Sequence, residues 1–165
     1  MEIVTEPLRF EATPLVLHDV AVRPEWLNAS GHMRAAQYIV LFDEAIEGFL
    51  ERMGLANAPG ADAAPFLMEM HTCYQRELRA GEEVRVTVQV LGAGEKRVHF
   101  IMFMQREGTE VVATTELAIV NVALGSRRAQ SWTPQQLATL AALVAAHEKL
   151  PLPPQAGRAI VFNRR

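Results

Sequence analysis

AAQYIVLFDEAIEGFLERM, residues 35–53, is the stretch whose reading decides the fold. At about 100° per residue, Tyr38, Leu41, Phe42, Ala45, Ile46, Phe49, Leu50 and Met53 cover roughly half the circumference of a helix. Asp43, Glu44, Glu47 and Glu51 share the opposite arc, with Glu44 nearest the apolar edge. An apolar arc this wide needs a surface that wraps around it. Gly54 follows where a left-handed C-cap belongs.

Before this helix, residues 15–23 (LVLHDVAVR) read as a strand, with Pro24 at its end or at a bend, and Asn28-Ala29-Ser30-Gly31 form a polar turn. After it comes a loop at 58–65 with prolines near both ends. Four strand-like runs then follow at about 66–77, 83–91, 96–106 and 109–122. The second alternates Val84, Val86, Val88 and Val90 with polar residues, as a half-buried strand does. Turns at 80–82, 92–94 and 107–108 are of hairpin length, so the four runs are expected to form an antiparallel meander with open first and last edges. Thr133-Pro134 with Gln136 marks the start of a second helix, expected to end near Lys149 before Pro151. The tail from Gly157 to Arg165 adds a short strand or stays loose. One strand, one thickly apolar helix and a run of antiparallel strands make an α+β domain whose sheet wraps its helix.

The 165 residues suit a single domain able to bury roughly 70% of its unfolded surface. Half of them are hydrophobic and the net charge is −3, which argues against a nucleic-acid partner. Cys73 is the only cysteine, so intramolecular disulfides and cysteine-rich zinc sites are excluded, and no three histidines show metal-ligand spacing. Residues Met1 to Glu6 are too acidic for a signal peptide, and no run approaches 18 apolar residues. A cytoplasmic protein with no membrane partner is the expectation.

RPEWLNASGHM at 23–33, with Tyr38 six residues after His32, resembles the opening segment of hotdog-fold thioesterases, whose usual form is Asp-x-x-Gly-His-Met. It is most similar to the betainyl-CoA thioesterase branch associated with carnitine breakdown. Weaker likenesses follow at Glu69-Met70-His71, Arg76-Glu77, Ala80-Gly81-Glu82, 95–99 and 113–116. The resemblance implies a hotdog fold, a homodimer or homotetramer with sites drawing on both protomers, and hydrolysis of an acyl-CoA with a small or medium acyl group. Coenzyme A enters as part of the substrate, with no cofactor.

Asn28 stands where the family keeps its catalytic carboxylate, and Ala29 and Ser30 replace a tyrosine and an asparagine. An amide is neither a nucleophile nor a general base at neutral pH. Asn28 is therefore expected to orient water or donate to the carbonyl, and the candidate bases are Glu69, His71, Glu44 and His32. His32 alternatively locks the turn, and Glu69 with His71 alternatively form a structural pair on one strand face. Gly31 permits close backbone approach, and the N–H groups of Met33 and Arg34 are the expected oxyanion donors. Trp26, Tyr38 and Tyr74 are candidate substrate contacts, the aromatic faces suiting a quaternary ammonium. Arg127, Arg128 and Arg97, with Lys96 behind, are candidates for the coenzyme A phosphates. The rival function is an acyl-thioester binder without hydrolysis. A hydratase would need an Asp four to six residues before His32, and none is there.

Overall fold

The apolar stretch forms one helix, α1 (Ala35–Arg52). The computed structural model describes residues 10–56, 58–107 and 109–161. Around α1 lie β1 (Leu15–Ala21), β2 (Ala63–Tyr74), β3 (Glu83–Ala93), β4 (Arg97–Arg106), β5 (Glu110–Ala123) and a second helix, α2 (Pro134–His147). The strands form one antiparallel sheet in the order β1-β3-β4-β5-β2. This is the expected α+β hotdog arrangement, a five-stranded sheet with a long helix against it.

The meander is correct only for β3, β4 and β5. β2 pairs with β5, from Ala63 opposite Ala123 to Tyr74 opposite Ala113. The open edges are therefore β1 and β2. Gln75 to Glu82 is not a tight hairpin turn. Its first two N–H groups still donate to Val112 O, and the rest crosses the end of the sheet to reach β3. Leu78, fully buried, anchors that crossing in the core.

Phe42, Ala45 and Phe49 are buried as the pattern requires, while Asp43, Glu44, Glu47 and Glu51 stay exposed. The Phe49 ring lies 4.9 Å from that of Phe100. Val84, Val86, Val88, Met102, Met104 and Leu117 complete the wall beneath the helix. Gly54 has φ +65°, the left-handed conformation foreseen for the cap. The helix runs one residue short of expectation, with Met53 as its C-cap, and the 58–65 loop yields its last residues to β2.

α2 begins on the Thr133–Gln136 capping box, and Gln136 Nε2 donates to Gly54 O at 2.9 Å, joining the two helices. Its last residue, His147, is buried and sits at the open end of the β1–β3 ladder. Nδ1 accepts from Val90 N–H at 2.8 Å and Nε2 donates to Thr13 O at 3.0 Å, so the ring takes the place of a missing rung. The chain then crosses the face of the sheet opposite α1. Gln89 Nε2 donates to Pro151 O on β3, and Gly157 N–H donates to Glu116 on β5. Residues 158–161 form no strand. Residues 162–165 and the acidic start at 1–6 lie outside the described residues. Among those described, no helix is long and apolar enough to cross a membrane.

Burial holds the pKa of His147 below its ordinary 6.5, partly offset by its bond to Thr13 O. Between the folded and unfolded values the unfolded chain binds more protons, so stability rises with pH across that window. The contribution of His147 is complete above about pH 6.5 and is lost as pH falls below it. Urea unfolding of wild type and His147→Leu from pH 8 to 5 should show the largest gap at neutral pH, shrinking with acid (about 1–3 kcal/mol at its widest). A gap independent of pH would show that the ring fills space without acting as a neutral bridge.

Candidate active site

Asn28 builds the turn that precedes α1. Its side-chain oxygen accepts Ser30 N–H at 3.0 Å and His32 N–H at 3.2 Å. Its own N–H donates to His32 O at 2.8 Å, and its carbonyl accepts Gly31 N–H at 3.0 Å. Gly31 closes the turn at φ +79°. These two accepted bonds fix which side-chain atom is oxygen, so the Asn28 NH₂ group is left pointing outward.

Met33 and Arg34 do not supply free donors. Met33 N–H is spent on Leu78 O at 2.7 Å and Arg34 N–H on Trp26 O at 3.0 Å, because the chain here forms a bridge rather than a helical turn. The N-cap, Arg34, makes no side-chain cap, and Ala35 and Ala36 N–H find no acceptor among the described residues. The open donors, and the positive end of the helix dipole, thus lie one and two residues beyond Arg34.

The segment leaving β2 is stitched to this region by four contacts. Tyr74 OH donates to Ala35 O at 3.3 Å and Tyr38 OH to Arg76 O at 3.2 Å. Leu78 O takes Met33 N–H, and Glu77 Oε2 lies 3.0 Å from His32 Nε2. Tyr38 and Tyr74 meet edge to face at 5.3 Å. Burial raises both phenol pKa values, so both remain neutral hydroxyls. Tyr38 is buried, whereas Tyr74 is half open. Trp26 is half-buried in the short 3₁₀ turn Pro24–Trp26, with the Arg23 guanidinium 5.2 Å over its ring.

Other candidates fall elsewhere. Tyr74 and Thr72 face α1 and β5's inner residues, so alternation turns Glu69 and His71 together onto the opposite face, across from Ala118 and Glu116. They share a face as expected, but not the one carrying the turn. Glu44 pairs with His18 at 3.4 Å, roughly 14 Å along α1 from Ala35. Arg97, at the start of β4, and Arg127 and Arg128, after β5, lie at the far end of the sheet from the turn of the same protomer. Lys96 is beside Arg97. Glu77 was not singled out, since only the fold brings it to His32. Its one sequence signal is its place in the Arg76-Glu77 likeness. No group of three His, Cys, Asp or Glu among the described residues could hold a metal.

Residues 22–156 match the thioesterase-like superfamily, and the chain belongs to it. Over 149 residues it is 31% identical to betainyl-CoA thioesterase of Pseudomonas aeruginosa, covering 88% of this chain and 94% of that protein. It is 30% identical to the L-carnitine dehydrogenase/betainyl-CoA thioesterase of Agrobacterium fabrum, covering 89% of this chain and 30% of that longer protein. A Pseudomonas putida KT2440 structure classed as a thioesterase is 29% identical with a TM-score of 0.79, over 92% of this chain and 99% of that one. A Staphylococcus aureus protein solved in complex with CoA shares the fold at 23% identity and a TM-score of 0.77, over 91% and 97% of the two chains.

An aspartate at position 28 would keep both accepted bonds of the turn, whereas alanine would lose them. Urea midpoints should place Asn28→Ala about 1 kcal/mol below wild type and Asn28→Asp within a few tenths of it. Equal loss in both variants would mean the turn does not depend on an accepting side chain.

Proposed function

We propose that this chain hydrolyses the thioester of an acyl-CoA with a small or medium acyl group, betainyl-CoA being the first to test. The carrying observation is the pair of open N–H groups at Ala35 and Ala36, with the half-open ring of Tyr74 bonded to Ala35 O and the Asn28–His32 turn just before the helix. Charge develops on the carbonyl oxygen as water adds, and preorganised donors stabilise it. Gly31, Met33 and Arg34 shape the approach through the backbone, without donating. A quaternary ammonium would find Tyr74 open, while Arg23 already covers Trp26. Water and side chains suffice, so no cofactor is required, and the reading places the enzyme in the cytoplasm with neither nucleic acid nor membrane as partner.

The working unit is a homodimer built on the β2 edge, alone or doubled into a tetramer. β2 has twelve residues and leaves Phe66, Leu67 and Met68 39%, 49% and 51% exposed. β1 is shorter, and Arg52 already occupies its Val16 carbonyl. Antiparallel pairing of β2 with its copy sets the start of one β2 against the end of the other. The sheet end carrying Arg97, Arg127 and Arg128 in one subunit then lies beside the Asn28–His32 turn of its partner, where coenzyme A phosphates need cations. The rival reading, a thioester binder without hydrolysis, is favoured only by the amide at position 28.

Thiol release from a panel of acyl-CoAs, betainyl-CoA included, is expected at micromolar enzyme, alongside dimer or tetramer sedimentation. Asn28→Asp should raise the rate, since general-base help is worth about 10²–10⁴-fold. Binding of acyl-CoA without thiol release by wild type would leave the rival standing, and a monomer would exclude the shared site.

A further inference from the structure

We infer that Glu77 positions His32 as the general base of this reaction, in place of the carboxylate that Asn28 lacks; the inference rests on the hydrolase reading above. Two observations carry it. Glu77 Oε2 lies 3.0 Å from His32 Nε2, and His32 Nδ1 has no hydrogen-bond partner among the described residues. The 3.0 Å contact is short enough for Nε2–H to donate to the carboxylate once the ring aligns with it; in that arrangement the lone pair sits on Nδ1, and the imidazolium formed when Nδ1 takes a proton is stabilised by Glu77.

A ring serving only to lock the turn is the competing explanation, and the turn does not need it. Asn28 N–H on His32 O, Gly31 N–H on Asn28 O and the two bonds to the Asn28 side chain already close that loop without the His32 ring. A backbone bond holds the neighbouring residues together as well. Met33, next to His32, donates to Leu78, next to Glu77, at 2.7 Å. Arg79 lies 3.5 Å from the other Glu77 oxygen. The remaining carboxylates and histidines proposed as bases are turned to the opposite sheet face or lie well along α1.

Water attacks the thioester carbon, forming a C–O bond while its proton passes to His32 Nδ1 and the carbonyl electron pair moves onto oxygen. Return of that pair re-forms C=O and breaks the C–S bond. The imidazolium gives its proton to the leaving thiolate, so acyl-CoA and water become a carboxylic acid and free coenzyme A. Glu77 touches neither substrate nor water and remains a positioning residue.

The test compares wild type, His32→Gln, Glu77→Gln and Glu77→Asp on the acyl-CoA that wild type cleaves fastest, reading kcat, KM and the pH profile. His32→Gln should lose about 10²-fold or more in kcat. Glu77→Gln should lose about tenfold or more with KM little changed, and its acidic limb should move to lower pH because the imidazolium has lost its carboxylate. Glu77→Asp should fall between. Kinetics of Glu77→Gln within about twofold of wild type, or a lower rate with an unmoved pH profile, would overturn the dyad alone. A wild type that releases no thiol from any acyl-CoA overturns the hydrolase reading and the dyad with it. Histidine ¹⁵N spectra near neutral pH give a check independent of activity and of how well the variants fold. They should show His32 as the Nε2–H tautomer in wild type, and the Nδ1–H tautomer would refute the arrangement.

Discussion

Phe42 and Phe49 lie fully buried on one side of α1, with Leu41 and Ala45 buried in the same core as residues of β3, β4 and β5. Each large side chain taken out of water contributes roughly 1.5–3 kcal/mol. The stripe they form fixes the rotation of the helix about its own axis. Once it is seated, Asp43, Glu44, Glu47 and Glu51 have only solvent to face, and both helix ends are set against the sheet. The C-terminal end is sealed by Gly54 and by Gln136 of α2. The N-terminal end is left with open donors at Ala35 and Ala36. The candidate site lies there because burial decides where that end must be.

The segment between β2 and β3 brings further side chains to this end of the helix. β2 runs on the far side of β5, so the chain has to cross the end of the sheet to begin β3, and that end is where α1 starts. Leu78 is buried in the crossing and accepts Met33 N–H; Arg76 O accepts Tyr38 OH; Glu77, between them, is thereby carried to His32. The Arg106 guanidinium, bonded to Glu82 and Glu110 and to Glu77 O, braces the same crossing from β4. Its hydrogen bond also holds the Glu110 carboxyl below the usual range, so that carboxylate stays charged in mild acid.

The helix was legible from its period, the valines of β3 from alternation, and the second helix from Thr133 and Gln136, because these are local rules acting over a few residues. The order of strands was not. A hairpin-length spacing says that two strands are consecutive, and it does not say which edge the second one takes. The same limit governs the site. Asn28, Gly31 and His32 stand in one short stretch, so the sequence alone brings them together, whereas Tyr74 reaches Tyr38 only through the fold. Glu69 and His71 were correctly placed on one face, but which face required the register with β5. The open helix donors lie one or two residues further on than Met33 and Arg34, because those two N–H groups bond to distant Leu78 and nearby Trp26, which no helical pattern records. Glu77 meets His32 only through the crossing.

The substitution at position 28 is chemically lopsided. What the turn asks of this side chain is one oxygen accepting two backbone N–H groups, and an amide meets that demand as an aspartate would. The turn therefore exerts little pressure against asparagine. The difference lies wholly in the outward group, where a carboxylate oxygen would accept a proton and an NH₂ can only donate. In the proposed hydrolysis such an NH₂ could only join Ala35 and Ala36 N–H in donating to negative oxygen, and it cannot take a proton from water. Proton transfer is then left to the titratable side chain that remains in the turn. In the mechanism inferred above that residue is His32, and Glu77 of the crossing segment lies 3.0 Å from its Nε2.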